Sequence, residues 1–154
     1  MVNYIVRKPT KEDVEYIIEH ARAEDVAEVE ALDGSTIREC LEDTPNLLDC
    51  SQVWEVNGKP VAIFGITKQN GPLNVGIIWL LATDELHKYT MKFARYCKEV
   101  FEKMSRGYAY LFNYIHTENK TSIEWLKWLG FKVSDPIPLG HKGANFHKFE
   151  LRNV

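Results

Sequence analysis

Residues 113–133, NYIHTENKTSIEWLKWLGFKV, decide how the rest of the chain is read. The apolar and aromatic run Tyr108–Ile115 that leads into them predicts a buried strand. Thr117, Asn119 and Ser122 then offer side-chain oxygens for capping, and Ile123, Leu126 and Leu129 mark one face of a short helix. Gly130 is placed to end that helix, because a residue without Cβ takes the left-handed conformation with little strain, and Phe131 can fold back onto it. The stretch is therefore strand, capped helix, glycine stop and next strand.

Upstream of this stretch, Val75–Ala82 (VGIIWLLA) is apolar at both parities, as a strand covered on both faces should be, and Gly76 suggests a bulge. A helix is expected from Thr90 to Lys103, its buried stripe formed by Phe93, Cys97, Val100, Phe101 and Met104. Strand, helix, strand without a hairpin turn predicts a parallel crossover. Before it, Val53–Val56 and Pro60–Thr67 flank Asn57-Gly58, a dipeptide suited to a tight hairpin, and Asn70-Gly71-Pro72 makes a second turn. These strands form an antiparallel meander.

The first third of the chain reads as strand Tyr4–Lys8 closed by Pro9, then a helix carrying Val14, Ile17, Ile18 and Ala21. Thr10 and Asp13 stand at capping-box spacing. Further helical pieces are expected at Asp25–Leu32 and from Ser35, as cap, through Leu41. After Val133 come a loop rich in proline and glycine and a last strand, Phe146–Arg152.

At 154 residues and 45% apolar content, the chain suits one domain, 1–154. No run of about 18 apolar residues suggests a membrane span, and the N-terminus lacks the apolar core of a signal peptide. Cys40, Cys50 and Cys97 show no CxxC pairing, so reduced thiols in a cytoplasm are expected. His141, Lys142 and His147 have no metal-ligand spacing, and no metal is expected. The net charge of −3 hides an asymmetry: residues 1–57 hold 14 acidic and 5 basic side chains, whereas residues 58–154 hold 8 and 14. Segregated solvated faces account for this, or else a site with an acidic side for a cationic substrate and a basic side for a phosphorylated one. Net acidity argues against nucleic acid as a partner.

The order of elements resembles the GNAT N-acetyltransferase fold, an α/β (α+β) domain whose mixed sheet has an antiparallel meander followed by a parallel β-α-β crossover, with helices on both faces. The most specific match is NKTSIEWLKWLGF at 119–131, supported by the opening IVRKPT with Asp13. More narrowly, TDEL, KFARYCKEVFE, SIEWLKWLGF and FHKFEL together resemble small GNAT-like proteins of short-tailed phages, usually labelled internal virion protein or putative acetyltransferase.

That resemblance implies acetyl-CoA as cofactor, contacted by Leu80, Leu81, Ala82, Thr83, Lys88, Lys92, Asn119 and Trp125. Two departures stand against it. The family holds the pyrophosphate on glycine amides after the central strand, by the physics of unpaired donors at a helix end. Here that span reads TDELHKYTMKFA, without glycine and with Asp84 and Glu85 where phosphates would sit. Many members also carry a proton-donating tyrosine four residues before the glycine of LGF, where this chain has Leu126. His116 is then the nearest titratable candidate for a base, although a hydrogen-bonded loop histidine is the commoner outcome. Two readings remain open. One is a catalytically degenerate phage protein acting in virion assembly or host interaction, with a phage structural or host protein as partner. The other is an active acetyl-CoA-dependent N-acetyltransferase acting on a small-molecule or protein amine.

Overall fold

The computed structural model describes residues 3–153. Strand β1 (Tyr4–Arg7) is followed by α1 (Lys11–His20), α2 (Ala23–Asp33), α3 (Ile37–Glu42) and the single turn α4 (Leu47–Cys50). The meander is β2 (Ser51–Val56), β3 (Lys59–Lys68) and β4 (Val75–Ala82). A 3₁₀ turn (Asp84–Lys88) leads to α5 (Thr90–Ser105), β5 (Tyr110–His116), α6 (Lys120–Trp128), β6 (Lys132–Val133), β7 (Ile137–Pro138) and β8 (Asn145–Arg152). Among the described residues no helix is long and apolar enough to cross a membrane.

The strands make one sheet in the order β1-β2-β3-β4-β5-β8-β6, with β7 also on β8. Every neighbouring pair is antiparallel except β4 and β5, the parallel crossover expected from the sequence. One face of the sheet is covered by α1 and α3 through Ile17, Ile37 and Leu41, packed on Val53, Ile63 and Leu81. The other is covered by α5 and α6, with Phe93 and Cys97 over the meander and Phe101, Ile123 and Leu126 over β5. Helices on both faces are thus present.

Local chemistry explains most element ends. Thr10 and Asp13 make the full capping box at α1. Asn57 and Gly58 both take positive φ, at 50° and 82°, in the hairpin between β2 and β3. Gly130 has φ 102°, its N–H donates to the Lys127 carbonyl, and the Phe131 N–H donates to the Leu126 carbonyl. This is the complete Schellman closure, and it buries Phe131 in the core.

Four local expectations need correction. The cap of α3 is Thr36, not Ser35, because only Thr36 stands three residues before Glu39, and the two close a capping box. Asn119 occupies the N-cap of α6, but its side chain makes no cap hydrogen bond. The strand expected from Tyr108 begins at Tyr110. Gly76 forms no bulge: its pairing is continuous with Lys68 on one side and Leu111 on the other. Glycine is needed there because a Cβ would come within 2.5 Å of the Ile66 side chain and 2.8 Å of Leu111. The register shift lies instead between Trp54 and Glu55.

Candidate functional site

The site begins where the sheet parts. β4 and β5 pair only at Val75–Tyr110, Gly76–Leu111 and Ile77–Phe112, after which they diverge. The Asn113 side-chain amide donates to the Ile78 carbonyl at 2.7 Å, tying the strands together as they separate. Beyond that tie lies a cavity of about 360 Å³, bounded by Phe64 and Leu80 on the meander side, Tyr114 and Ile115 on β5, and Trp125 and Leu126 of α6. Its polar lining includes Arg22, Asp25 and Glu28 at the entry and first turns of α2 and Asn119 and Ser122 at the start of α6.

Arg22, Asp25 and Glu28 recur every third residue, which sets them along one side of the entry to α2 and its first turns. Arg22 and Asp25 are 3% and 1% exposed and form a two-pronged ion pair at 2.8 and 3.0 Å. Burial pushes the Asp25 carboxyl up, opposed by Arg22 and by a hydrogen bond from the Ala82 N–H. Arg22 also reaches the Ser122 hydroxyl at 3.4 Å.

This pair closes part of the edge that the sequence nominated for a cofactor. Backbone groups on a strand alternate between its two edges. The Thr83 N–H donates to the Val61 carbonyl of β3, so the groups of Ala82 and, two residues earlier, Leu80 face the gap. Ala82 is fully engaged there: its N–H donates to Asp25 Oδ2 at 2.8 Å and its carbonyl accepts the Arg22 N–H at 2.8 Å. Leu81 is buried in the meander core and is paired with Ile63. Of the four nominated residues, Leu80 presents its backbone to the cavity.

Glu28 is a titratable group of the cavity that the sequence reading missed. Its carboxylate accepts the His116 N–H at 2.7 Å. Burial pushes this carboxyl up to about 7, against the hydrogen bond from His116 and with a further rise from neighbouring Asp25. A carboxyl that exchanges its proton near neutrality, at the rim of an apolar cavity, has the properties of a general base. The three-residue spacing of Arg22, Asp25 and Glu28 was the available signal. It was hidden because α2 has no clear apolar stripe to mark its buried side.

The other nominated residues are dispersed. His116 supplies its backbone to Glu28, while its ring packs on Phe146 with centroids 5.2 Å apart. Asn119 is buried at the cavity, 6% exposed. Trp125 packs on Phe93 at 5.6 Å, and its indole N–H is buried without a hydrogen-bond partner, as are Trp54 Nε1 and the Tyr4 hydroxyl. Lys88 pairs with Glu85 at 3.2 Å and is 65% exposed on its side chain; Lys92 lies over the Tyr4 ring at 5.5 Å. The 3₁₀ turn uses its own amides: the Glu85 N–H donates to the Thr83 hydroxyl, Leu86 to the Thr83 carbonyl and Tyr89 to the Leu86 carbonyl. His87 meets Glu24 at 3.1 Å, and with Asp84 their donor atoms lie within 4.8 Å of one another on an open surface.

Residues 51–136 match a family model described as "Bacteriophage T7, probable scaffold protein Gp13". No curated protein matches the chain. Among solved structures, Ard1 from Thermoplasma volcanium superimposes with a TM-score of 0.72 at 16% identity, covering 98% of each chain. YncA from Salmonella typhimurium, a putative acetyltransferase with its cofactor acetyl-CoA, gives 0.70 at 15% identity over 98% of this chain and 94% of that one. Spermidine N-acetyltransferase from Vibrio cholerae, in complex with CoA and spermine, gives 0.71 at 8% identity over 97% and 95%. At these identities the likeness establishes the fold, which is that of the GNAT acetyltransferases.

Proposed function

Because the chain belongs to the family described as bacteriophage T7 probable scaffold protein Gp13, we propose that it is a phage protein that uses a GNAT fold in assembly rather than in acyl transfer. The observation that carries this reading is the closure of Ala82 by the buried Arg22–Asp25 pair. A thioester cofactor threading the splayed strands needs backbone donors and acceptors along β4, and this chain has spent those of Ala82 internally. The glycine-free turn adds to the obstacle. By the resemblance to acetyl-CoA-binding members of the fold, Asp84 and Glu85 would stand near two phosphates, and like charges at that range repel. The protein then acts in the cytoplasm of an infected cell or in the particle, through a phage structural or host protein.

A second reading rests on Glu28. With its proton exchanging near neutrality beside an apolar cavity, it is suited to deprotonate an acceptor ammonium before attack on an acetyl thioester. The spermidine enzyme among the structural relatives takes such an amine.

Calorimetric titration of the purified protein with acetyl-CoA separates the two. The assembly reading predicts no heat and no thermal shift at millimolar ligand. Binding at about −8 kcal/mol, a micromolar Kd, overturns it; loss of that binding in Lys88→Glu/Lys92→Glu then identifies the basic side of the phosphate site.

A further inference from the structure

We propose that the sheet face formed by β5 and β8 binds single-stranded nucleic acid, with Tyr110 and Phe112 as the stacking platform and Lys132, Lys148 and Arg152 as phosphate contacts. This goes beyond the assembly reading and does not depend on it.

Alternation along the strands builds the face. In β5, Leu111 and Ile115 point into the core under α5 and α6, so Tyr110, Phe112 and Tyr114 lie on the opposite side. Their cross-strand partners on β8 are Arg152, Glu150 and Lys148, and Lys132 of β6 pairs with Glu150 on the outer edge. On this side α1 and α3 cover the meander, and α2 reaches β5 at its far end, where Glu28 meets His116. Among the described residues, the end at Tyr110 and Phe112 has no helix over it. Both rings are half-buried, while Lys132 and Arg152 are exposed.

The aromatic and cationic groups interleave. Tyr110 and Phe112 stack at 5.6 Å with an interplanar angle of 20°. Arg152 lies over the Tyr110 ring at 4.7 Å, and Lys148 stands 5.5 and 5.3 Å from Tyr110 and Phe112. A guanidinium over a tyrosine ring offers its outer plane to a base, and ring edges and faces beside cations suit a chain of bases joined by phosphates. Among the described residues of these strands the one carboxylate on the face, Glu150, is tied down by the Tyr110 hydroxyl and by Lys148 at 3.6 Å. Three cations against one held carboxylate leave the face positive. An acidic peptide would satisfy the charge but leave the aromatic row without a purpose, so the combination favours nucleic acid. The acidic excess of the chain lies in residues 1–57, whose helices share this side of the sheet but sit over the meander and the far end of β5, away from Tyr110 and Arg152.

Fluorescence anisotropy with labelled oligothymidylate of about 12 nucleotides, long enough for one binding module, tests the proposal against a duplex of equal length. Binding of the single strand should weaken about 18-fold between about 50 and 200 mM salt, the slope for the three phosphates that Lys132, Lys148 and Arg152 would neutralise. Phe112→Ala should weaken it roughly fivefold or more through lost stacking. Lys132→Glu/Arg152→Glu, on exposed residues that leave folding intact, should abolish it. Equal binding of the duplex, no binding of either, or unchanged binding in the charge variant overturns the proposal. So does a finding that the charge variant only breaks up a dimer seen by light scattering, which would assign the face to the acidic half of a second copy.

Discussion

Replacing Glu28 with Gln isolates one proton and its effect on folding. The carboxyl has an ordinary value of 4.5 and is pushed up to about 7 in the fold, chiefly by burial. The native state therefore holds this proton more tightly than the unfolded chain does. Its contribution is complete below pH 4.5, declines as pH rises toward 7, and is gone above that. The gap corresponds to up to about 3 kcal/mol, reduced by whatever water reaches this half-buried side chain. Gln keeps an oxygen to accept the His116 N–H and carries no charge to bury. Near pH 4 the two proteins should be equally stable; near pH 8 the variant should be more stable, by up to about 6–12 °C in Tm for a chain of this size. Urea unfolding of both proteins at the two pH values gives the difference, and background titration of other groups cancels. Parallel stability profiles across that range would show that Glu28 is an ordinary exposed carboxylate, and the second reading of the site would lose its base.

Asp25→Ala strands the buried Arg22 charge and removes the acceptor of the Ala82 N–H, so chemical unfolding should show a loss of about 3–5 kcal/mol. Arg22→Met/Asp25→Leu should recover most of that loss, since it removes both charges and keeps the volume; no recovery would mean that the pair itself holds α2 in place. Gly76→Ala forces a Cβ against Ile66 and Leu111 and should cost about 1–3 kcal/mol in the same assay.

Much of the fold was legible because its elements are written in local chemistry. Val75–Ala82 is a strand over the expected residues, since an apolar run at both parities admits few other structures. The Gly130 stop is equally local. Ser35 and Thr36 show the limit: both are hydroxyls before a helix, and only the distance to Glu39 separates them. The single turn α4 escaped notice because it depends on Asn46 adopting φ 54°, which composition alone does not announce. The site was less legible than the fold. Leu80, Asn119 and Trp125 do reach the cavity. Glu28 did not stand out, because whether a charged residue on a polar helix is buried depends on what crosses over it, and that is decided 88 positions away at His116. The engagement of Ala82 by Asp25, 57 residues distant, is invisible for the same reason.

The brief pairing of β4 with β5 also makes the sheet resemble a book. Its two antiparallel covers, β1–β4 and β5 with β8 and β6, meet along a spine of three residue pairs and the Asn113 strap. The angle at which the book stands open sets the width of the cavity. A partner gripping both covers from outside would change that angle, and a molecule wedged between the pages would change what the covers present. The two events would then influence each other equally in free energy, in whichever order they occur.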